Sequence, residues 1–414
     1  MALATITTDA ATTGSRATRM LHRRPTDPLP WWSTAAVYET AEVRTVDALD
    51  DVAAHVPHVA SLGCDALLLT APELDPRHPL VAEAVAAVVR RAHRRALKVV
   101  ASVLPIEISD TSASHLARVE RWLALGVDGI DLGIARGTTD ARALGLDERE
   151  TASAGAPAPR TLLRHPRGAT PGALHAVVAE HDGALTGGVR ALSLEAYAEV
   201  LHEDWLHATR DDRLARTGWD TAAMGEALTG VFGVHEPLGA RPAWALATGR
   251  AAAPPPTWAH ARDAAESARR VRSMTALTLM LPGAVYLRQG VELDPDDSPA
   301  GGSAEAGSST GSLGDLVAAL APVRHQDDST YERLRAWLRL RRELGTASGY
   351  LGLRDVDTDA LVLVLDSRHL VLALGPDPVE LPPNAHVTHA SADVRDVDGG
   401  HVLEPGTAAL LRLG

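Results

Sequence analysis

The residues of this chain that could do chemistry form three small groups and a handful of separate carboxylates. His202 and His207 bracket Glu203 and Asp204, a composition that could gather metal ligands. The 18 histidines are otherwise scattered, and none of their pairs combines i, i+4 spacing with a third ligand, so the run reads as a solvated polar helix and no metal is expected. Cys64 is the only cysteine and opens the apolar run Cys64-Asp65-Ala66-Leu67-Leu68-Leu69. No positive group flanks it to favour a thiolate, so it reads as a core residue, and a lone cysteine rules out an intrachain disulfide and zinc sites built on cysteine pairs. Thr186-Gly187-Gly188 is without the lysine-and-hydroxyl pair of a phosphate loop and reads as a turn. Among the acidic residues, Asp131 lies inside a β-like run and Glu195 directly after one.

The elements that must position these residues alternate. Short β-like runs at Ala35–Tyr38, Ala66–Leu69, Lys98–Leu104, Gly129–Ile134, Val189–Leu194, Leu206–Thr209, Trp244–Ala247 and Ala284–Leu287 are interleaved with helical patterns, among them Val46–Leu62, Leu80–Ala96 and Ser114–Leu125. Strands alternating with helices imply βαβ units and a parallel sheet, and eight of them in about 300 residues favour a closed (β/α)₈ barrel over a doubly wound open sheet. From about Arg354 the pattern changes to short strand candidates, Ala360–Leu365, His369–Leu374, His386–His389 and Ala408–Leu413, separated by Pro and Gly, as in a small antiparallel β-sandwich. The chain therefore divides into a mobile N-terminal tail over 1–30, an α/β barrel over 31–345 and a sandwich over 354–414.

The 414 residues suit one large domain and one small one, and 45% hydrophobic residues supply a sizeable core. A net charge of -13 disfavours nucleic acid and anionic membranes as partners. Residues 1–30 have no apolar signal-peptide core, and no apolar run approaches the ~18 residues that cross a bilayer, so a cytoplasmic location is expected.

Several segments, in a common order, resemble glycoside hydrolase family 13, the α-amylase/α-glucosidase superfamily, and its oligo-1,6-glucosidase branch in particular. Trp31-Trp32-x-x-Ala-x-Val-Tyr38 is similar to the family's first strand, and Leu62-Gly63-Cys64-Asp65-Ala66-Leu67 to its second. Ala96-Leu97-Lys98-Val99-Val100 with Leu104-Pro105 resembles the third, and Gly126-Val127-Asp128-Gly129 the fourth. The most specific match is Leu281-Pro282-Gly283-Ala284-x-Tyr286-Leu287-x-Gln289-Gly290-x-Glu292-Leu293, which resembles the eighth. Ser329–Glu343 resembles the helix that leads out of the barrel.

The resemblance implies a site at the C-terminal barrel mouth, and the departures fall on that site. Alignment places Gly133 at the nucleophile position, Asp131 where the family has arginine, Glu195 at the acid/base position, and Arg250 in place of the third carboxylate. Glu107 follows the third strand where the sugar-binding motif is expected, and the histidine of that motif is lost. With about twenty residues between Pro105 and Gly126, the domain the family inserts after the third strand is missing.

A retaining glycosidase needs two carboxyl groups about 5–5.5 Å apart. Glycine cannot attack an anomeric carbon, and an arginine would repel a developing oxocarbenium ion. The expected function is therefore that of a pseudo-glycosidase: a carbohydrate-metabolism relative with a binding, regulatory or scaffold role, whose partner would be a carbohydrate or a protein and which uses no cofactor. The alternative is an active α-glycoside hydrolase or transglycosylase with a relocated nucleophile, for which Asp131 is the candidate because alternation puts it on the strand face of Gly133. Asp131 and Glu107 are also the candidate substrate contacts. The sugar, the partner and the oligomeric state stay open.

Overall fold

The computed structural model describes residues 4–5, 17–102, 112–136, 171–190, 193–202, 206–246, 256–259, 261–293, 313–324, 326, 329–356, 359–397 and 400–414. Two short strands, β1 (Ala4–Thr5) and β2 (Thr18–His22), precede a barrel and pair elsewhere. The barrel strands are β3 (Ala36–Glu39), β4 (Ala66–Thr70), β5 (Lys98–Ser102), β6 (Gly129–Arg136), β7 (Ala184–Arg190), β8 (Ala208–Asp211), β9 (Ala243–Leu246) and β10 (Ala284–Arg288). All pair in parallel and in sequence order, and β10 closes on β3. The expected (β/α)₈ barrel is the fold observed.

Period-two alternation sorts the strand residues. Along β4, Ala66 and Leu68 cluster with Ala35, Val37, Val100, Ala208, Ala243, Ala284 and Tyr286 inside the barrel. Leu67 and Leu69 face outward into the large core shared with the helices. Those helices are α1 (Val46–Leu62), α2 (Pro79–His93), α3 (Ser112–Ala124), α4 (Pro171–Ala179), α5 (Leu194–His202), the short α6 (Arg213–Arg216), α7 (Thr221–His235), α8 (Ala264–Met280), α9 (Leu313–Val323) and α10 (Thr330–Leu344). Local chemistry fixes several ends. Thr45 caps α1 by accepting from the Ala48 N–H, and Gly63 ends it at φ 96°. Asp220 and Asp263 cap α7 and α8 in the same way. Only residues 103–111 separate β5 from α3, so no inserted domain follows the third barrel strand.

The turn into β10 is anchored from outside the barrel. Gly283 has φ 108°, and a Cβ there would collide with the Pro242 carbonyl. The buried Arg341 guanidinium of α10 donates to the carbonyls of Leu279 (2.6 Å), Leu281 (2.8 Å) and Gly283. Burial pulls its pKa down to about 10.

The C-terminal strands are β11 (Leu351–Arg354), β12 (Ala360–Leu365), β13 (Arg368–Ala373), β14 (Val379–Glu380), β15 (Ala385–Ala390), β16 (Arg395–Val397), β17 (Gly400–Leu403) and β18 (Ala408–Leu413). They form a six-stranded sheet, β15-β18-β13-β12-β11-β2, and a four-stranded one, β1-β14-β17-β16. One face of the larger sheet (Val362, Val371, Ala409, Leu411) packs with Val379 and Leu403 of the smaller. Its other face (Leu361, Leu363, Leu370, Leu372, Leu410) joins the main core. The segment expected to be a tail is in part structural: Thr18–His22 is an antiparallel edge strand on β11. Leu21 and His22 are buried, and His22 Nδ1 lies 2.7 Å from Glu236 Oε2. The strand's partner is more than 300 residues away, so nothing near it in the chain signals the pairing. Among the described residues no helix is long and apolar enough to cross a membrane.

Candidate functional site

The barrel interior is lined with small residues, Ala35, Ala66, Ala208, Ala243 and Ala284, and polar side chains occupy the space this leaves. Asp131 on β6 is 1% exposed and Arg210 on β8 is 3% exposed. They meet in a two-pronged ion pair, Nη1 to Oδ2 at 2.5 Å and Nη2 to Oδ1 at 3.0 Å. Thr186 of the intervening β7 donates its hydroxyl to Oδ2 at 2.7 Å. The Gly133 N–H donates to Oδ1 at 2.8 Å. The guanidinium carbon of Arg210 lies 4.7 Å from the Tyr286 ring centroid. Burial alone would lower the Arg210 pKa, but Asp131, and Glu39 after it, more than offset this and hold it above its ordinary value. Burial raises the Tyr286 hydroxyl to about 12.

Asp131 is thus a strut across three barrel strands. Its two oxygens accept four donors, which accounts for the lone-pair positions of a carboxylate. Such a group holds strands together and has no free electron pair to direct at a substrate.

Gly133, two residues on, has φ 76°. The register runs from Asp131↔Thr186 to Ile134↔Gly188, so β6 carries an extra residue there. The alternation expected to put residues 131 and 133 on one face is broken by this bulge.

Glu195 lies past the end of β7, exposed in the first turn of α5, where Ser193 Oγ accepts from the Ala196 N–H at 3.2 Å. The fifth barrel strand is Ala184–Arg190, earlier than the Val189–Leu194 expected. Thr186-Gly187-Gly188, read as a turn, is inside it. A glycine pair imitates a turn in sequence, but here it lies inside the strand, where a Cβ on Gly187 would stand 3.1 Å from the Leu206 side chain. The structure therefore brings Asp131 and Gly133 together and leaves Glu195 on a neighbouring helix. Glu107 and Arg250 lie outside the described residues, as do Glu203 and Asp204. His202 donates to the Ala198 carbonyl on α5, while His207 accepts from the Leu185 N–H and stacks on Trp32 and His175. Cys64 is buried, and burial raises its thiol well above the ordinary value.

Sequence reasoning missed a second buried polar cluster. Glu292, after β10, is 0% exposed and accepts from Tyr38 Oη at 2.8 Å and the Gly290 N–H at 3.0 Å. His58 Nε2 of α1 lies 3.0 Å from the same carboxylate. His55, one turn earlier, is 4% exposed, with its ring 4.4 Å from that of His58. Neither ring nitrogen of His55 has a hydrogen-bond partner among the described residues. Burial lowers its pKa to about 4. The i, i+3 pair was the available signal, but it becomes a cluster only when β10 closes the barrel beside α1 and delivers Glu292.

No protein-family model matches the sequence, and no curated protein matches it. Solved structures do. Eubacterium rectale Amy13B superposes with a TM-score of 0.60 at 12% identity, covering 96% of this chain and 97% of that one. A family GH13_31 enzyme gives 0.58 at 12% identity, over 93% of this chain and 100% of that one. A putative α-amylase from Salmonella typhimurium gives 0.52 at 13% identity, over 97% and 84% of the two chains. In fold, as in the order of its sequence motifs, the chain resembles the α-amylase structures of glycoside hydrolase family 13.

Proposed function

We propose that this chain is a divergent relative of the family 13 α-glycosidases that keeps the barrel and has lost the hydrolytic reaction, serving as a binding, regulatory or scaffold protein. The observation that carries this reading is the saturation of Asp131. A nucleophile at the barrel mouth must present an unshared electron pair to the anomeric carbon, whereas Asp131 is buried and holds Arg210, Thr186 and the Gly133 N–H. Arg210 takes up both carboxylate oxygens, so the pair offers no uncompensated negative charge to an oxocarbenium-like transition state. Glu195, exposed on α5, supplies at most a proton donor without a partner nucleophile among the described residues.

The bulge at Gly133 makes the loss harder to reverse. An aspartate there would have to adopt φ 76°, a left-handed conformation that costs a side-chain-bearing residue about 1–3 kcal/mol. The test is turnover of aryl α-glucosides and maltose by the wild type and by Gly133→Asp, each against a Glu195→Gln control that exposes contaminating enzyme. The expected result is no turnover above that control in either protein. Glu195-dependent hydrolysis by the wild type would overturn the proposal and return Asp131, or another carboxylate, to the role of nucleophile.

A further inference from the structure

His55, His58 and Glu292 lie outside the barrel interior, so their chemistry is independent of whether the barrel hydrolyses sugars. His55 and His58 project from consecutive turns of α1, and Glu292 reaches them from the segment after β10. One ligand atom from each of the three lies within 4.8 Å of the other two. All three residues are buried.

The cluster is asymmetric in its hydrogen bonding. Glu292 and His58 are partnered, yet both ring nitrogens of His55 are buried and unpartnered among the described residues. A buried polar group left unpaired costs about 1–3 kcal/mol, and a helix could avoid that cost with an apolar residue at this position. Two imidazoles and one carboxylate with room for a fourth ligand are the donor set of an open zinc site. A cavity of about 500 Å³ adjoins the cluster, lined by His55, His58, Ser61, Leu320, Arg324 and Tyr331. It offers both an approach and space for a water as fourth ligand.

We propose that His55, His58 and Glu292 form a binding site for a divalent transition metal of the Zn²⁺ class, which clamps the first barrel helix to the segment leaving the last barrel strand. Bonds of about 2.0–2.1 Å draw the three ligand atoms closer together than they stand here. Rotation of the imidazoles into the adjoining cavity supplies that movement.

Arg324 sets the condition for binding. Its Nη2 donates to His58 Nδ1 at 2.6 Å, which leaves the ring proton on Nε2, directed at Glu292. A metal on Nε2 moves that proton to Nδ1, so Arg324 must release the ring. Arg324 is therefore a latch that competes with the metal, and the Tyr331 ring, 5.6 Å away, is a surface on which it can rest.

The test uses the full chain, stripped with a chelator, titrated with Zn²⁺ against a chromophoric competitor and then with Co²⁺, whose visible spectrum reports tetrahedral coordination by nitrogen and oxygen. The expected result is one Zn²⁺ per chain, a tetrahedral Co²⁺ spectrum, and a thermal midpoint that rises with free Zn²⁺, as binding to the folded state requires. His55→Phe keeps an aromatic ring at the position and should fold. It should lose more than the roughly 10–100-fold in affinity that removal of an outer-sphere partner costs, together with the spectrum. Arg324→Ala should bind more tightly than wild type. Absence of saturable binding by the wild type, or equal affinity in wild type and His55→Phe, overturns the site, and weaker binding by Arg324→Ala overturns the ligand arrangement. Should His55→Phe fail to fold, a wild-type Co²⁺ spectrum without tetrahedral character decides against the proposal by itself.

Discussion

The barrel interior and the α1 cluster are both buried polar groups in an apolar surrounding, and they solve that problem differently. In the barrel, Asp131 meets a cation, a hydroxyl and a backbone N–H, and its carboxylate is fully used. Beside α1, Glu292 is satisfied by Tyr38, His58 and Gly290, but the neighbouring His55 has two nitrogens without a hydrogen-bond partner among the described residues and a cavity at its side. The first region is closed in the chemical as well as the geometric sense. The second retains the capacity to bind.

The largest expected effect sharpens the barrel side. Arg210→Met leaves the Asp131 charge buried without its cation and should destabilise the protein by about 3–5 kcal/mol, read as a fall in the urea unfolding midpoint. Replacing both partners by apolar residues of similar volume, Asp131→Leu with Arg210→Met, should recover most of that loss, because the pair repays little beyond its own desolvation. If the single and double variants are equally unstable, the pair does not act as a strut.

Acid should act on the histidine side. His55 and His235 are held at about 4, in each case chiefly by burial, against an ordinary 6.5. The unfolded chain then binds more protons than the folded one between those values. Stability contributed by the neutral rings is complete above about pH 6.5 and is lost as pH falls toward 4, on the order of 3 kcal/mol for each ring. Thermal midpoints measured across this range should decline with acid, and His55→Phe should shallow the slope. An unchanged slope would mean that His55 is solvated in the folded protein.

A smaller change is expected at the bulge. Gly133→Asp should cost about 1–3 kcal/mol through its left-handed backbone, measured as a lower unfolding midpoint. A neutral or stabilising result would show that β6 straightens to place the new side chain, and would weaken the case against restoring catalysis. The smallest effect should come from His55→Phe in metal-free protein. Removal of two unpaired nitrogens offsets the added ring volume, so stability should stay within about 1 kcal/mol of wild type. A larger loss would indicate that His55 already makes a contact that Phe cannot supply.

Regular elements with their signals close at hand are legible in the sequence. Val46–Leu62 is legible at both ends because Thr45 caps it and Gly63 stops it. Ala360–Leu365 and Ala408–Leu413 fold over the ranges their residues suggest because each carries a run of four apolar residues buried on both faces. The fifth barrel strand is displaced from its expected place because its glycine pair imitates a turn, and that displacement carried Glu195 to a strand end it does not occupy. β2 looks like tail in sequence because the strand it pairs with lies near the other end of the chain.

The amino-acid order by itself determined the alternation of strand and helix and the change to a β-sandwich. These depend on residue type and on periodicity over short stretches, where side-chain direction follows from the backbone alone. Only the tertiary structure decided which polar residues meet. Arg210 reaches Asp131 across 79 residues of chain, and Glu292 reaches His58 across 234, because barrel closure sets strands that are distant in sequence side by side. Whether a buried carboxylate is saturated or still able to bind depends on those meetings, and no local pattern contains them.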